Sequence, residues 1–474
     1  MKRVLRYIII VGFISSFVSC DEKFEEMNTP KANPADASLA TLLTGGQEYS
    51  FGQIGYFWER YANIFTQHLA GNHADGVSWD RYQLQPADNS NLFFYLYTDG
   101  LSNLEKVIEL GKGENAEEAS PHYVGVAQIQ QALILGHLTD LYGDIPWTEA
   151  MKGLEYPFPN YDSQEKIYNT IQSLLDEGIS NIKNDNSVFS PGSDDLIFNG
   201  DLGKWMAAAY AIKARYANHL SKIDPVGSAQ AALDAIDKAE AVGFSDMLYA
   251  FEGSANHFSP WWSHYQNSLA VASDNFMDLL VDNNDPRLER YFSEEKVDGT
   301  FAGYVGKQNG KGTDDSVYPS PGEDTFFGAK DASIFLMTRF ELLFIKAEAH
   351  LRLNQKGEAA NAHNEAIAVS LQSVGATDNG YLVSFATEDA TTIDLEKVMT
   401  EKYKAMFTQG VESWVDVRRH DYQYPTNLEI PEGELGGPTS DEYIRRVLYS
   451  SYEVINNPNV PKDITVYKRV WWDN

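Results

Sequence analysis

Apolar residues recur every three or four positions over most of the chain, and this spacing predicts helices. Ile167, Ile171, Leu174, Ile179 and Ile182 fall on one helical stripe. They lie behind Asp162-x-x-Glu165, which reads as a capping box. Trp205, Ala209, Ile212, Tyr216 and Leu220 form a second stripe, and Leu343, Ala347 and Leu351 a third. Ala362, Ala366 and Val369 form a fourth, and Tyr123, Ala127, Gln130, Ile134 and Leu138 belong to a fifth. Strand-like alternation is sparse, so any sheet is small.

Two of these helices echo each other. Ile212-Lys213-Ala214 is followed by Leu220, and Ile345-Lys346-Ala347 by Leu353, with the same spacing. Each helix then breaks, at Ile223 to Gly227 and at Asn354 to Gly357, and restarts as an Ala-rich run over 229–241 and 358–371. Small residues at regular spacing let paired helices approach closely, as in tetratricopeptide-type repeats. The expected fold is all-α, an α/α superhelix of such helix pairs. Long loops carrying Gly, Pro, Asn and aromatics separate the helices at 71–87, 143–161, 185–202, 251–268, 296–333 and 420–474. Loops of this length in a compact domain point to a binding face. No Ser/Gly linker splits the body, so 36–474 reads as a single domain.

The first residues read differently. Met1 to Arg6 is cationic, Tyr7 to Val18 is mostly apolar, and Ser19-Cys20 follows. That is the layout of a signal peptide over 1–19, and it is too short for a membrane-spanning helix. A cysteine at the cut resembles a bacterial lipobox, so Cys20 is the expected lipidation site, and 20–35 reads as a flexible tether. The acidic start of that tether resembles the surface-export signal of Bacteroidetes lipoproteins; a solvated linker is the other reading. Cys20 is also the chain's one cysteine, which excludes an intramolecular disulfide and a multi-thiolate zinc site. With 68 acidic against 37 basic side chains, the formal charge of −31 excludes a phosphate-neutralising nucleic-acid surface.

Catalytic motifs are missing. There is no H-E-x-x-H, G-x-S-x-G or P-loop spacing, and Asp282 to Asp285 begins like a calcium loop but meets Arg287 where a glycine is required. No catalytic residue, metal ligand or cofactor is therefore expected. The loops instead gather aromatics beside amides and charges. Asn72, Asp75, Trp79, Asp80, Arg81 and Tyr82 form one cluster, and His257, Trp261, Trp262, His264 and Tyr265 another. Sugar rings stack their C–H faces on aromatic planes while Asp, Asn and Arg take hydroxyls, and peptides use similar groups. The candidate ligand contacts are Asn72, Asp75, Trp79, Arg81, Tyr82, His257, Trp261, Trp262 and Tyr265. The competing reading is that these rings staple long loops to the helical body.

Several stretches resemble one family. Asp140-Leu141-Tyr142-Gly143-Asp144-Ile145-Pro146-Trp147-Thr148-Glu149-Ala150 is similar to the D-x-Y-G-D-I-P-Y-T-E-A motif of the SusD/RagB nutrient-binding outer-membrane lipoproteins. Asp285-Pro286-Arg287-Leu288 with Tyr291-Phe292 resembles its D-P-R-L-x-x-Y-F. Trp205 to Leu220, Glu401 to Arg419 and Arg445 to Val460 also match, with Ser450 where the family has Pro. The resemblance implies four tetratricopeptide-type helix pairs, a variable loop-built binding face and no chemistry. It also implies a ligand that is usually a glycan and sometimes a peptide, and a partner, a TonB-dependent β-barrel transporter of the outer membrane. Within the first motif, Tyr142, Asp144 and Pro146 read as scaffold, and Arg287, Arg418 and Arg419 as structural charge partners whose acids are unassigned. The expected function is thus a surface-exposed outer-membrane lipoprotein that delivers an oligomeric nutrient, most simply an oligosaccharide, to that transporter. Its rivals are a glycan-cleaving enzyme on a helical scaffold, a peptide-binding member of the family, and a tetratricopeptide adaptor that binds only proteins.

Overall fold

A computed structural model describes residues 37–474 apart from 89, 114–118, 255–256, 268, 295–302, 314–317, 427 and 432–441, with the backbone alone at 56, 57, 265 and 267. The segment 1–19, Cys20 and the tether lie outside the described residues, as do parts of the 296–333 and 420–474 loops.

Helix α1 (Leu39–Gln53) runs through a π-helical turn into α2 (Glu59–Phe65), and the short α3 (Asp75–Asp80) follows. Next come α4 (Ser90–Tyr95), a second π turn (Leu96–Leu101) and α5 (Ser102–Lys112). The long α6 (Pro121–Tyr142) packs on α7 (Gln164–Ile182), and α8 (Leu202–His219) on α9 (Pro225–Val242). After the short α10 (Pro260–Asn267), α11 (Asp274–Asp282) and α12 (Leu288–Tyr291), α13 (Arg339–Arg352) packs on α14 (Lys356–Ser373). The helices α15 (Tyr381–Phe385), α16 (Leu395–Ala405), α17 (Gly410–Arg419) and α18 (Ser451–Asn456) complete the order. The fold is therefore helical, with successive helix pairs as expected. Strands are short: β1 (Leu69–Gly71) pairs with β5 (Ala270–Ala272), β2 (Ile145–Pro146) with β3 (Tyr161–Asp162), and β4 (Met247–Tyr249) with β6 (Ile334–Met337), all antiparallel.

The stripes do what their spacing demands. Trp205, Ala209, Ile212 and Tyr216 are fully buried, while Leu220, at the α8 C-cap, is half-buried. In α7 the buried face uses Leu175 rather than Leu174. The helix-start signal there was off by one position. Ser163 is the cap, its side chain accepting from the Lys166 N–H, while Asp162 turns away to accept from the N–H groups of Trp147 and Thr148. Helix α6 goes further than its stripe, being buried on every side from Tyr123 to Tyr142, which makes it the central rod of the core.

The repeated I-K-A motif acquires a meaning in three dimensions. Lys213 on α8 pairs with Asp176 on α7 at 2.8 Å, and Lys346 on α13 pairs with Glu240 on α9, also at 2.8 Å. Each lysine reaches back to the second helix of the preceding pair. Partly exposed pairs of this kind add under about 1 kcal/mol each. The repetition of the contact marks repetition of the packing geometry.

The D-L-Y-G-D-I-P run ends α6. Gly143 takes φ +77°, a region closed to most side chains, and the Asp144 carboxylate accepts from the Gln164 N–H at 2.9 Å. Pro146 then enters the β2–β3 pair. The segment 442–474 closes over this corner. Val447 N–H donates to the Leu141 carbonyl, Arg446 reaches the Tyr142 carbonyl, and Trp472 Nε1 donates to Asp140 at 2.9 Å.

Candidate functional site

The β1–β5 pair brings the two aromatic clusters together, with Gly71 opposite Ala270. Beyond it, the N–H groups of Asn72 and His73 both donate to the Leu269 carbonyl, at 2.9 and 3.3 Å. Two glycines make the approach close. A Cβ on Gly71 would meet the Gly76 carbonyl oxygen at 1.9 Å, and one on Gly76 would meet the Leu269 oxygen at 2.2 Å. Backbone thus lies on backbone where α3 crosses the strand pair.

A third segment, 303–313, clamps this junction. Lys307 Nζ donates to the Gly71 carbonyl at 2.8 Å, and Arg81 Nε donates to the Gly310 carbonyl at 2.9 Å. The buried Asp80 carboxylate accepts from the Asn309 amide at 2.5 Å and from the Gly310 N–H at 2.6 Å. Burial pushes that carboxyl up to about 6, even though both hydrogen bonds and Lys307 pull it down. Sequence reasoning did not assign this clamp. Its signal was the Gly- and Lys-rich composition of 303–313, a turn-forming mixture suited to following another backbone.

The predicted contacts now separate. Trp79 and Trp261 are each 1 % exposed and Tyr82 5 %, so none of the three offers a face to a ligand. Trp79 stacks on Phe65 with centroids 6.2 Å apart, Tyr82 meets the edge of the same ring, and Trp261 packs on His264 and Phe407. Their reading as ligand contacts is corrected: these three staple α3 and α10 to the body. The short helix α10 explains the split between neighbours. Consecutive helical residues point about 100° apart, so Trp261 turns inward while Trp262 faces out.

Trp262 is half-buried and lies beside Phe258, with ring centroids 4.8 Å apart at 36°. Lys330, paired with Glu323, holds its ammonium 5.5 Å from the indole centroid. The Trp262 Nε1–H is buried and has no acceptor among the described residues. His257 is held close by, its Nδ1 accepting from the Glu252 N–H at 3.3 Å and its Nε2 lying 3.3 Å from the Tyr249 hydroxyl. On the other side of the strand pair Asp75 is exposed, Asn72 is half-buried, and Arg81 is a half-buried strut on the 303–313 clamp. The side chain of Tyr265 lies outside the described residues. The arrangement provides a pair of neighbouring rings with an amine, a carboxylate and an imidazole around it. Those groups can stack and hydrogen-bond; no nucleophile with a positioned base stands among them.

Buried ionic networks lie elsewhere. Among the described residues, Asp140, His219 and Glu412 are the one His/Asp/Glu group whose ligand atoms all fall within 4.8 Å of one another. His219 bridges the two acids, 3.3 Å from Asp140 and 3.0 Å from Glu412. Burial opposes charging this imidazole, but the two carboxylates outweigh it and hold the ring protonated up to about 9. Arg215 sits 3.4 Å from Glu412 as well. The negative charges are thereby met by side chains, and the trio is a structural ion cluster. The arginines expected as structural partners find their acids: Arg287 binds Asp285 and Glu401, and Arg419 binds Glu348 and Asp416. Arg418 instead lies over Trp414 and Trp472 and donates to the carbonyls of Asp140 and Arg445.

Among the described residues no helix is long and apolar enough to cross a membrane. A family model described as SusD-like, starch-binding associating with outer membrane, matches residues 31–449. Solved structures share the fold. A SusD/RagB family protein from Bacteroides thetaiotaomicron aligns with a TM-score of 0.76 at 21% identity, covering 93% of this chain and 99% of that one. A chitin-binding SusD homolog from Flavobacterium johnsoniae aligns at 0.75 and 21%, over 91% and 98%. A SusD homolog from Bacteroides uniformis aligns at 0.74 and 20%, over 93% and 100%. No curated protein sequence matches the chain.

Proposed function

Because this chain belongs to the SusD-like family of starch-binding proteins that associate with the outer membrane, we propose that it is a surface-exposed lipoprotein, anchored through Cys20, that captures an oligosaccharide and passes it to a partner TonB-dependent β-barrel transporter. The observation that carries the glycan reading is the family match over 31–449, joined by the half-buried Trp262 indole beside Phe258. Trp262 and Phe258 stack on the C–H face of a sugar ring. Lys330, Glu323 and His257 take the hydroxyls around it. Asn72 and Asp75, across the β1–β5 pair, contact the same chain of sugars further along, and Arg81 fixes the clamp between the two halves. Binding leaves the sugar chemically unchanged, and delivery follows when the lipoprotein swings on its tether away from the barrel mouth.

The Trp262→Ala variant is expected to bind soluble starch or chitin oligomers about tenfold more weakly, a loss of roughly 1.4 kcal/mol, with its melting temperature unchanged. Affinity electrophoresis in polysaccharide gels measures this; equal retardation of variant and parent rejects the stacking role. The partner is tested apart from the ligand, by solubilising membranes in mild detergent and identifying what co-purifies with the tagged protein. A stoichiometric β-barrel is expected. Recovery of the protein alone defeats the delivery reading.

A further inference from the structure

A concavity of about 450 Å³ opens where α4 and the π turn after it meet the 146–159 strap and the start of α18. Its floor is Phe93, packed on Tyr97 and on the edge of Tyr142, with Pro146 and Met151 alongside. Two rings stand at the rim. Phe94 and Tyr452 lie edge to face with centroids 5.9 Å apart, and each remains nearly half exposed, at 47 % and 49 %. Exposed aromatics gathered around a cleft of this size mark a binding site more often than a bare surface.

The polar groups of the wall narrow the ligand. Tyr97 donates to the Pro146 carbonyl at 2.7 Å, Thr98 to the Phe94 carbonyl at 3.0 Å, and Ser102 to the Thr98 carbonyl. Ser450 accepts from the Tyr452 N–H, and one oxygen of Glu453 accepts from the Tyr161 hydroxyl and the Asn457 amide. What is left without a hydrogen bond among the described residues is the Tyr452 hydroxyl and the other Glu453 oxygen. A pyranose carries hydroxyls on most of its carbons, and burying it here would leave several of them unmet. A flat apolar ring with one hydroxyl matches both the rings and the two open polar positions.

We propose that this cleft is a second binding site, separate from the Trp262 face, for a hydroxylated aryl group, either a free phenolic compound or an aryl substituent carried by a sugar. The ring lies on the Phe93 floor against the Phe94–Tyr452 pair, and its hydroxyl meets Tyr452 and Glu453. The inference does not rest on the glycan reading, because none of its residues belongs to that face.

The test is saturation-transfer NMR and calorimetry on the purified protein with ethyl 4-hydroxybenzoate. Transfer to the ring protons is expected, with affinity at least tenfold weaker in the Phe94→Ala/Tyr452→Ala double variant and unchanged in Trp262→Ala. Both replaced rings lie at the surface, and the milder Tyr452→Phe variant is expected to weaken this probe while leaving ethyl benzoate unaffected. No transfer, or binding that ignores the double variant, overturns the proposal. So does equally tight binding of ethyl cyclohexanecarboxylate, which lacks the flat ring. 4-Hydroxyphenyl β-glucoside distinguishes the source: tighter binding than the free phenolic points to an aryl group borne on sugar, and equal or weaker binding to a free phenolic.

Discussion

Replacing Arg287 by alanine is expected to destabilise the protein by about 3–5 kcal/mol, the cost of breaking a buried ion pair by removing one partner. The side chain is fully buried, and its guanidinium meets Asp285 at 2.6 and 2.9 Å, Glu401 at 2.9 Å and the Ser370 hydroxyl at 3.0 Å. These contacts tie the start of α12 to α14 and α16. Lys404 and Tyr381 remain on Glu401 after the substitution, but Asp285 loses the one cation that contacts it directly among the described residues. Burial raises the pKa of Asp285, and the Arg287 guanidinium outweighs it, holding the carboxyl below its usual range. At roughly 2 °C per kcal/mol for a domain of this size, the melting temperature should fall about 6–10 °C. Arg287→Lys, which keeps the charge and loses the fork, should fall between the two. A thermal melt of the alanine variant within 2 °C of the parent, a margin of about 1 kcal/mol, removes the argument.

The second large effect depends on pH. His219 titrates near 6.5 when free and near 9 in the folded state, so the folded protein binds its proton more tightly. The stabilisation is fully present below pH 6.5 and is lost as pH rises through about 9, a total on the order of 3 kcal/mol. In a His219→Leu variant, Asp140 and Glu412 face each other without the bridging cation. The stability gap between parent and variant is therefore expected to be widest near pH 6 and to narrow steadily toward pH 10. Urea unfolding of both proteins at pH 6, 7.5 and 9 gives the difference directly, and groups that titrate alike in both cancel. A gap that does not change with pH contradicts a charged His219.

Much of this architecture was legible because helical periodicity is a local property. The stripes in α7, α8, α13 and α14 name their own buried faces, and the I-K-A echo located corresponding helices in two pairs. Its lysines could not reveal Asp176 and Glu240, which lie on other helices at separations no local rule fixes. The cap of α7 was misplaced by one residue because Asp162 and Ser163 are both good acceptors, and only the neighbouring Trp147-Thr148 backbone decides between them. The site was less legible. Composition located both aromatic clusters, but Trp261-Trp262 gives no hint of which indole is outward until 260–267 is known to be a helix. Trp79 looked like a sugar platform for the same reason that it makes a good staple: it is large, flat and rigid. Of the buried acids that answer Arg287 and Arg419, Asp285 and Asp416 are close neighbours in sequence, but Glu401 and Glu348 lie 114 and 71 positions away, which no local rule supplies.

The closure of segment 442–474 over α6 has a consequence for how the protein survives its own synthesis. Helix α6 is buried on every side, yet Trp472, which donates to its Asp140, arrives 332 positions later. Helix pairs can form early from neighbours close in sequence, but the rod at their centre stays partly uncovered while the intervening chain is made. A polypeptide interrupted before residue 442 therefore carries greasy surface that holdase chaperones and proteases recognise. Quality control can distinguish a finished copy from an aborted one by a single criterion, whether that rod is still accessible.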